Sequence, residues 1–405
     1  MTNIRVSLFA LMLAAAGLPL YIHLPRYASA ELGMSLSALG GLLIGLRVLD
    51  FVQDPLLGKL IDRFPNARRL FAALALGGLA AGFALVFTFL PEAGRIYWLA
   101  GGLALLFTAH SLGTILFYGQ SVAIAGGEAG LVRLAGFREG GSLVGVLLAA
   151  LAPTVFVALG VGGGGYPAFG LALMLLAAAI FLLTRPLWAF DGPETSPMQF
   201  SALREAGGIQ LLLIALVNAL PVALTSTLFL FFVDDRLGLP TLAGPLLMLF
   251  FLAAAVSVPL WSVLVKRHGA RRILPLAMTL AIIAFMGAAV LPEGAAFGFA
   301  LICLASGAAL GADMVILPVL FSSALSRAGL SAGTAFGLWN FAAKLSLAIA
   351  AAGALPALQL AGYAPGEDNS ENALVALSLA YAVVPCIIKI VAIILVARLP
   401  QEVNT

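Results

Sequence analysis

The sequence predicts an all-α polytopic membrane protein with 12 transmembrane helices in two six-helix halves. Three observations carry this. Of 405 residues, 62% are hydrophobic and 10% charged, where a soluble domain carries roughly 45–50% and 25%. Twenty-one Lys+Arg and 18 Asp+Glu cannot cover a soluble surface, and so apolar a chain is not a disordered one. Twelve apolar runs approach the roughly 20 residues that cross a bilayer core. The longest polar interval between runs lies almost at mid-chain, and the sequence on either side of it repeats.

The runs, in order, are 5–25, 36–57, 70–90, 96–120, 139–160, 167–184, 208–232, 241–265, 273–291, 295–321, 331–356 and 372–397. Unbroken stretches such as LLLIALVNALPVALTSTLFLFF do not alternate as barrel strands must, so the spans are helices. The first run, followed by Ala28-Ser29-Ala30, imitates a secretory signal. It is read here as a retained span, because its removal would leave eleven spans and break the symmetry. An even number puts both termini on one side. That side carries 15 of the 21 basic residues, and only Arg26, Arg95 and Arg236 fall on the other, so both termini are expected in the cytoplasm, with the chain in the inner membrane. The pI near 9 then reflects cytoplasmic loops and not nucleic-acid binding. Cys303 and Cys386 lie inside apolar runs, which argues against a disulfide framework or a thiolate metal site.

Residues 185–207 hold Pro186, Pro193 and Pro197. They read as a cytoplasmic linker (186–207) between an N-terminal half (1–185) and a C-terminal half (208–405). GKLIDRFPNARRL at 58–70 and WSVLVKRHGARRI at 261–273 superimpose at an offset of 203, with Arg68 facing Arg271 and Arg69 facing Arg272. A duplicated six-helix unit is the plan of major facilitator transporters. The first copy resembles that superfamily's Gly-x-x-x-Asp-Arg loop signature through Gly58, Asp62, Arg63, Arg68 and Arg69. Two readings stand: Asp62, Arg63, Arg68 and Arg69 form gating ion pairs, or the basic residues only hold the loop inside the cell.

The chemistry is expected just upstream. Arg47, Asp50 and Asp54 fall on one stripe of the second helix, at i, i+3 and i+7. Charges at membrane depth are costly and point to function. Two carboxylates one turn apart can offer oxygens to a desolvated Na⁺ or share a proton, with Arg47 neutralising the empty pair. A purely structural ion-paired stripe is the other reading. The run Arg47-x-x-Asp50-x-x-x-Asp54-Pro55-x-x-Gly58 resembles the second-helix motif of the glycoside-pentoside-hexuronide:cation symporters. RLAGFREGGSLVGVLLAALAP at 133–153, LFLFFVDDRLGLP at 228–240, GAALGADMVILP at 307–318 and GLWNFAAKLSLAIA at 337–350 are similar to further stretches of that family. The resemblance implies cation symport of a sugar-like solute. It assigns Gln53 and a fourth-helix threonine, Thr114, to the coupling-cation site beside Asp50 and Asp54, a functional arginine to Arg138 and an eleventh-helix lysine to Lys344. The family's two sugar carboxylates would fall at Ala14 and Phe117, so its sugar is not carried over.

Among the remaining intramembrane polar residues, Lys344 is expected to pair with Asp50 or Asp54, or to receive an anionic solute. Tyr118, Gln120, Trp339, Asn340 and Asp313 are candidate solute contacts beside Arg138, and for Asp313 burial against a neighbouring helix is equally open. Asp234 and Asp235 read as solvated, Lys389 as snorkelling, and His110 as either a proton relay or, more in keeping with a lone histidine on a small-residue helix, hydrogen-bonded packing. No motif supports soluble catalysis. The expected protein is therefore a monomeric secondary transporter and not an enzyme, with no resident cofactor beyond its coupling Na⁺ or H⁺. Its partners are a small-molecule solute and membrane lipid. A lipid or amphiphile transporter of the same fold is the alternative.

Overall fold

The computed structural model describes residues 2–28, 32, 36–89, 91, 94–162, 165–189, 199–364 and 368–399. Twelve long helices occur among them: α1 (Thr2–Arg26), α2 (Leu36–Arg63), α3 (Arg68–Phe83), α4 (Arg95–Gly119), α5 (Glu128–Ala158), α6 (Tyr166–Thr184), α7 (Gly208–Phe231), α8 (Ala243–His268), α9 (Ala270–Ala288), α10 (Ala296–Arg327), α11 (Ala332–Leu360) and α12 (Glu371–Ala397). Ten helices among the described residues are long and apolar enough to cross a membrane. The other two of the twelve are α1 and α2, and α2 carries the charged stripe. Residues 29 and 30 of the signal-like segment and residues 190–198 of the mid-chain interval lie outside the described residues.

The chain forms two compact units, Met1–Met198 with Gly329–Phe341, and Gln199–Ala328 with Ala342–Thr405. In the first, α1 packs along α5, α3 along α4 and α6, and α2 along α4. In the second, α8 and α9 pack on α10, and α7 and α9 on α12. The closest helix pairs rest on glycines one turn apart. A Cβ at Gly141 or Gly145 of α5 would collide with the Ser7 or Leu11 carbonyl of α1, and one at Gly307 or Gly311 of α10 with the Phe250 or Ala254 carbonyl of α8. Lipid supplies no hydrophobic drive for helix association, so small residues that let backbones approach are what hold such pairs.

The fifth span begins at Glu128, eleven residues before the apolar run suggested. Gly126 and Gly127, with φ of 73° and 118°, set the break, and nothing after them interrupts a helix until Pro153. Helix α2 likewise continues to Arg63, so Asp62 and Arg63 sit in its last turn and the intervening loop is only Phe64–Ala67.

Candidate functional site

The first unit brings the α2 stripe together with α4 and the opening turns of α11. Asp50 and Asp54 are fully buried. The Gln53 amide donates from Nε2 to Asp50 Oδ1 at 3.0 Å, and its own Oε1 accepts from Thr108 Oγ1 at 2.7 Å. Arg47 Nη1 lies 3.7 Å from Asp50 Oδ2. Asp54 Oδ2 accepts from Asn340 Nδ2 at 2.7 Å. The approach of α11 to α2 is backbone-deep: a Cβ on Gly337 would sit 2.6 Å from the Asp54 carbonyl, and one on Gly58 would strike Gly333. Two carboxylates, an amide oxygen and a hydroxyl are hard oxygen donors of the kind an alkali cation takes. Among the described residues no group of three His, Cys, Asp or Glu side chains could hold a metal ion.

Two of these contacts differ from those expected. The α4 threonine that reaches Gln53 is Thr108 and not Thr114, which is half-buried six residues on. Asn340, expected as a solute contact, holds Asp54 instead. Neither reassignment has a signal in the sequence beyond the presence of a polar residue in an apolar run.

Asp62 is also used differently from the expected ion pairing. Its Oδ1 accepts from the Gly333 N–H at 2.8 Å, and its Oδ2 from the Thr334 N–H at 2.7 Å and Thr334 Oγ1 at 2.6 Å. It therefore caps α11, whose first N–H groups have no partner within the helix. Arg63 and Arg69 are exposed, Arg63 lying 5.8 Å from the Phe64 ring, and Arg68 is half-buried.

A second polar cluster joins α4 and α5. Arg138 and Glu139 are each 2% exposed, with Arg138 Nε donating to Glu139 Oε1 at 2.8 Å. The Tyr118 hydroxyl donates to the same oxygen at 3.1 Å, while Arg138 stacks on the Tyr118 ring, 3.8 Å from its centre, and donates from Nη1 to Ser121 at 3.3 Å. Arg138 Nη2 is buried with no hydrogen-bond partner among the described residues. From Tyr118 a line of rings runs through Phe336 (5.5 Å) to Trp339 (6.0 Å further), beside Asn340. Gln120 closes α4 and is half-buried. Glu139 and Ser121 were missed in the sequence, although Glu139 adjoins Arg138. Phe117, where the symporter family would place a sugar carboxylate, is buried among Phe9 and Trp188 (4.9 and 6.4 Å). That position is apolar core.

In the second unit Lys389 does not snorkel. It is 5% exposed, ion-paired with Asp313 of α10, and donates to Asn218 Oδ1 of α7 at 2.7 Å. The burial of Asp313 against a neighbour is thus the reading of the two that its geometry matches. The pair lines a cavity of about 30 Å³ with Pro221, Thr225, Ser306 and Cys386. Lys344 is buried on α11, in the second unit, and His110 is half-buried, 3.3 Å from where a Cβ on Gly17 would lie. Asp234 and Asp235 are half-buried. Asp235 accepts from the Tyr363 hydroxyl, and burial followed by that bond pushes the Tyr363 hydroxyl well above its usual range.

Helices long and apolar enough to cross a membrane, with buried charges on their faces, make the described residues those of a multi-pass membrane protein. The chain belongs to the MFS/sugar transport protein family, whose model matches residues 5–402. Solved structures agree on the fold. A bacterial homologue of the iron transporter ferroportin, in an outward-facing state, is 18% identical with a TM-score of 0.70, covering 97% of this chain and 99% of that one. The E. coli fucose:proton symporter FucP is 16% identical, TM-score 0.66, covering 96% and 98%. The human organic anion transporter MFSD10 is 18% identical, TM-score 0.61, covering 98% and 97%. No curated protein matches the chain. The family and fold identify a secondary transporter of the major facilitator superfamily and not an enzyme.

Proposed function

We propose that this transporter is a symporter in which Na⁺ or H⁺ moves with a small polar, sugar-like solute. The observation that carries the reading is the pair of fully buried carboxylates, Asp50 and Asp54, one turn apart on α2, with Gln53 donating to Asp50, Asn340 to Asp54, and Arg47 beside Asp50. Burying two such charges in a bilayer for packing alone is expensive. A cation that arrives at Asp50, Gln53, Thr108 and Asp54 removes that cost, and Arg47, 3.7 Å from Asp50, supplies balancing charge when none is bound. Asn340 gives the carboxylates a mechanical output, because neutralising Asp54 weakens its hold on α11. A cation that changes this bond binds one conformation better than another, which is all that coupling requires.

The solute reading rests on the second cluster. Tyr118 and Trp339 offer aromatic faces, Gln120 an amide, and Arg138 Nη2 a buried donor awaiting an acceptor oxygen. Hydroxyl-rich solutes suit such a mixture. Asp313 is already engaged by Lys389, so it is withdrawn from the solute set. We further propose two six-helix halves joined by a cytoplasmic segment at 186–207, both termini in the cytoplasm, location in the inner membrane, and action as a monomer. The test is ligand-induced thermal stabilisation of the purified chain across sugars, polyols and organic acids, with Na⁺ and pH varied. A sugar or polyol that stabilises more strongly with Na⁺ or at lower pH supports the reading. Stabilisation confined to amphiphiles, independent of both ions, opposes it.

A further inference from the structure

A cavity of about 520 Å³ lies in the first unit where α3 begins and α6 ends, lined by Arg69, Leu70, Ala73, Phe181, Arg185, Pro186, Trp188 and Ala189. No part of the proposed transport chemistry uses it. Its polar groups are all donors. Arg69 and Arg185 are exposed, and neither forms an ion pair among the described residues. Arg185 is steadied against the Phe181 ring at 5.9 Å. Trp188 is 5% exposed, wedged edge-on against Phe9 at 4.9 Å, and its indole N–H is buried with no hydrogen-bond partner among the described residues.

Two guanidiniums, a buried indole N–H without a partner and no carboxylate among the described lining residues define an anion site. A phosphodiester is the anion that geometry suits, because guanidinium forks bind its oxygens in pairs and the indole N–H can donate to a third. The cavity's position selects the source. It lies at the ends of two membrane-length helices, and from it the exposed Leu70 and Leu74 run one turn apart along α3, 57% and 54% exposed. A molecule with a phosphate at the helix end and hydrocarbon along the helix satisfies both. We propose that this cavity binds the headgroup of an anionic membrane phospholipid, with its phosphate between Arg69 and Arg185 and an acyl chain along Leu70 and Leu74. Basic pockets between helices at a membrane surface are suited to such headgroups. The inference does not rest on the symport reading.

The test uses the full chain, purified and delipidated in neutral detergent, titrated with phosphatidylglycerol, phosphatidylcholine or inorganic phosphate. Melting temperature and lipid adducts by native mass spectrometry are the readouts. Phosphatidylglycerol is expected to leave one retained adduct and raise the melting temperature, while the other two do neither. Arg69→Gln with Arg185→Gln should lower its apparent affinity at least tenfold. Trp188→Phe, which keeps the ring and removes only the N–H, should lower it about two- to tenfold, the range of one hydrogen bond. Arg185→Gln alone, at an exposed position, serves as the folded control for the double variant and should also weaken binding. An unchanged phosphatidylglycerol response in these variants overturns the site. An equal response to phosphatidylcholine overturns the anionic requirement, and an equal response to inorganic phosphate overturns the lipid assignment.

Discussion

Asp62→Asn isolates a single charge at the start of α11. The wild-type carboxylate accepts three hydrogen bonds, from the N–H groups of Gly333 and Thr334 and the hydroxyl of Thr334. Asparagine keeps the shape but offers one oxygen and turns an NH₂ toward a donor, so at least one bond is lost. A hydrogen bond to a charged group is worth about 1.5–3 kcal/mol, and the charge at a helix N-terminus adds about 0.3–1 kcal/mol. The total, about 2–4 kcal/mol, corresponds to roughly a 30- to 1000-fold change in a local opening equilibrium. Hydrogen exchange of a peptide spanning 329–341 reads that opening directly, because the Gly333 and Thr334 amides have no helical acceptor. Protection there should fall by that factor, while Arg63→Gln, at an exposed residue one position on, should alter it less than about twofold. Unchanged protection in Asp62→Asn would show that the α11 cap is not held by this carboxylate.

Three further outcomes follow from the geometry. Lys389→Met strands Asp313 in an apolar setting and should destabilise the protein by about 3–5 kcal/mol, whereas adding Asp313→Leu should recover most of the loss; thermal melting of the two variants checks this, and additive losses would contradict a shared ion pair. Thr108→Val removes the donor to Gln53 and should weaken the coupling cation about two- to tenfold, read by the cation dependence of thermal stability, whereas Thr114→Val should leave it within about twofold. A cysteine at the exposed position 201, against a background in which Cys303 and Cys386 are buried, should resist an impermeant thiol reagent in intact cells; labelling from outside would reverse the proposed orientation.

The helices were legible because lipid imposes one rule, about 20 apolar residues per span, and the charged stripe of α2 because no apolar run tolerates charge without a reason. The start of α5 was not legible from hydropathy, since Glu128, Arg133 and Arg138 interrupt the apolar signal while leaving the backbone helical. Thr108 and Thr114 are six residues apart, about 240° round a helix, so the threonine that the resemblance assigns and the one that bonds Gln53 lie on different faces of α4. Lys389 looked like an interfacial lysine because its partners lie 76 and 171 residues away, and nothing local announces a tertiary ion pair. Asp62 was read with the arginines beside it in sequence, when its actual partners are the backbone of a helix 271 residues on.

Asp54 is proposed as a coupling group rather than a packing one. Its most direct test compares two fluxes in proteoliposomes, using a solute that passes the thermal screen: uphill accumulation driven by an imposed Na⁺ or proton gradient, and solute exchange with no gradient. Asp54→Asn should abolish accumulation and retain exchange, because the carboxylate that senses the cation is gone while Arg138, Tyr118 and Trp339 remain. Accumulation by Asp54→Asn equal to that of the wild type would contradict the account.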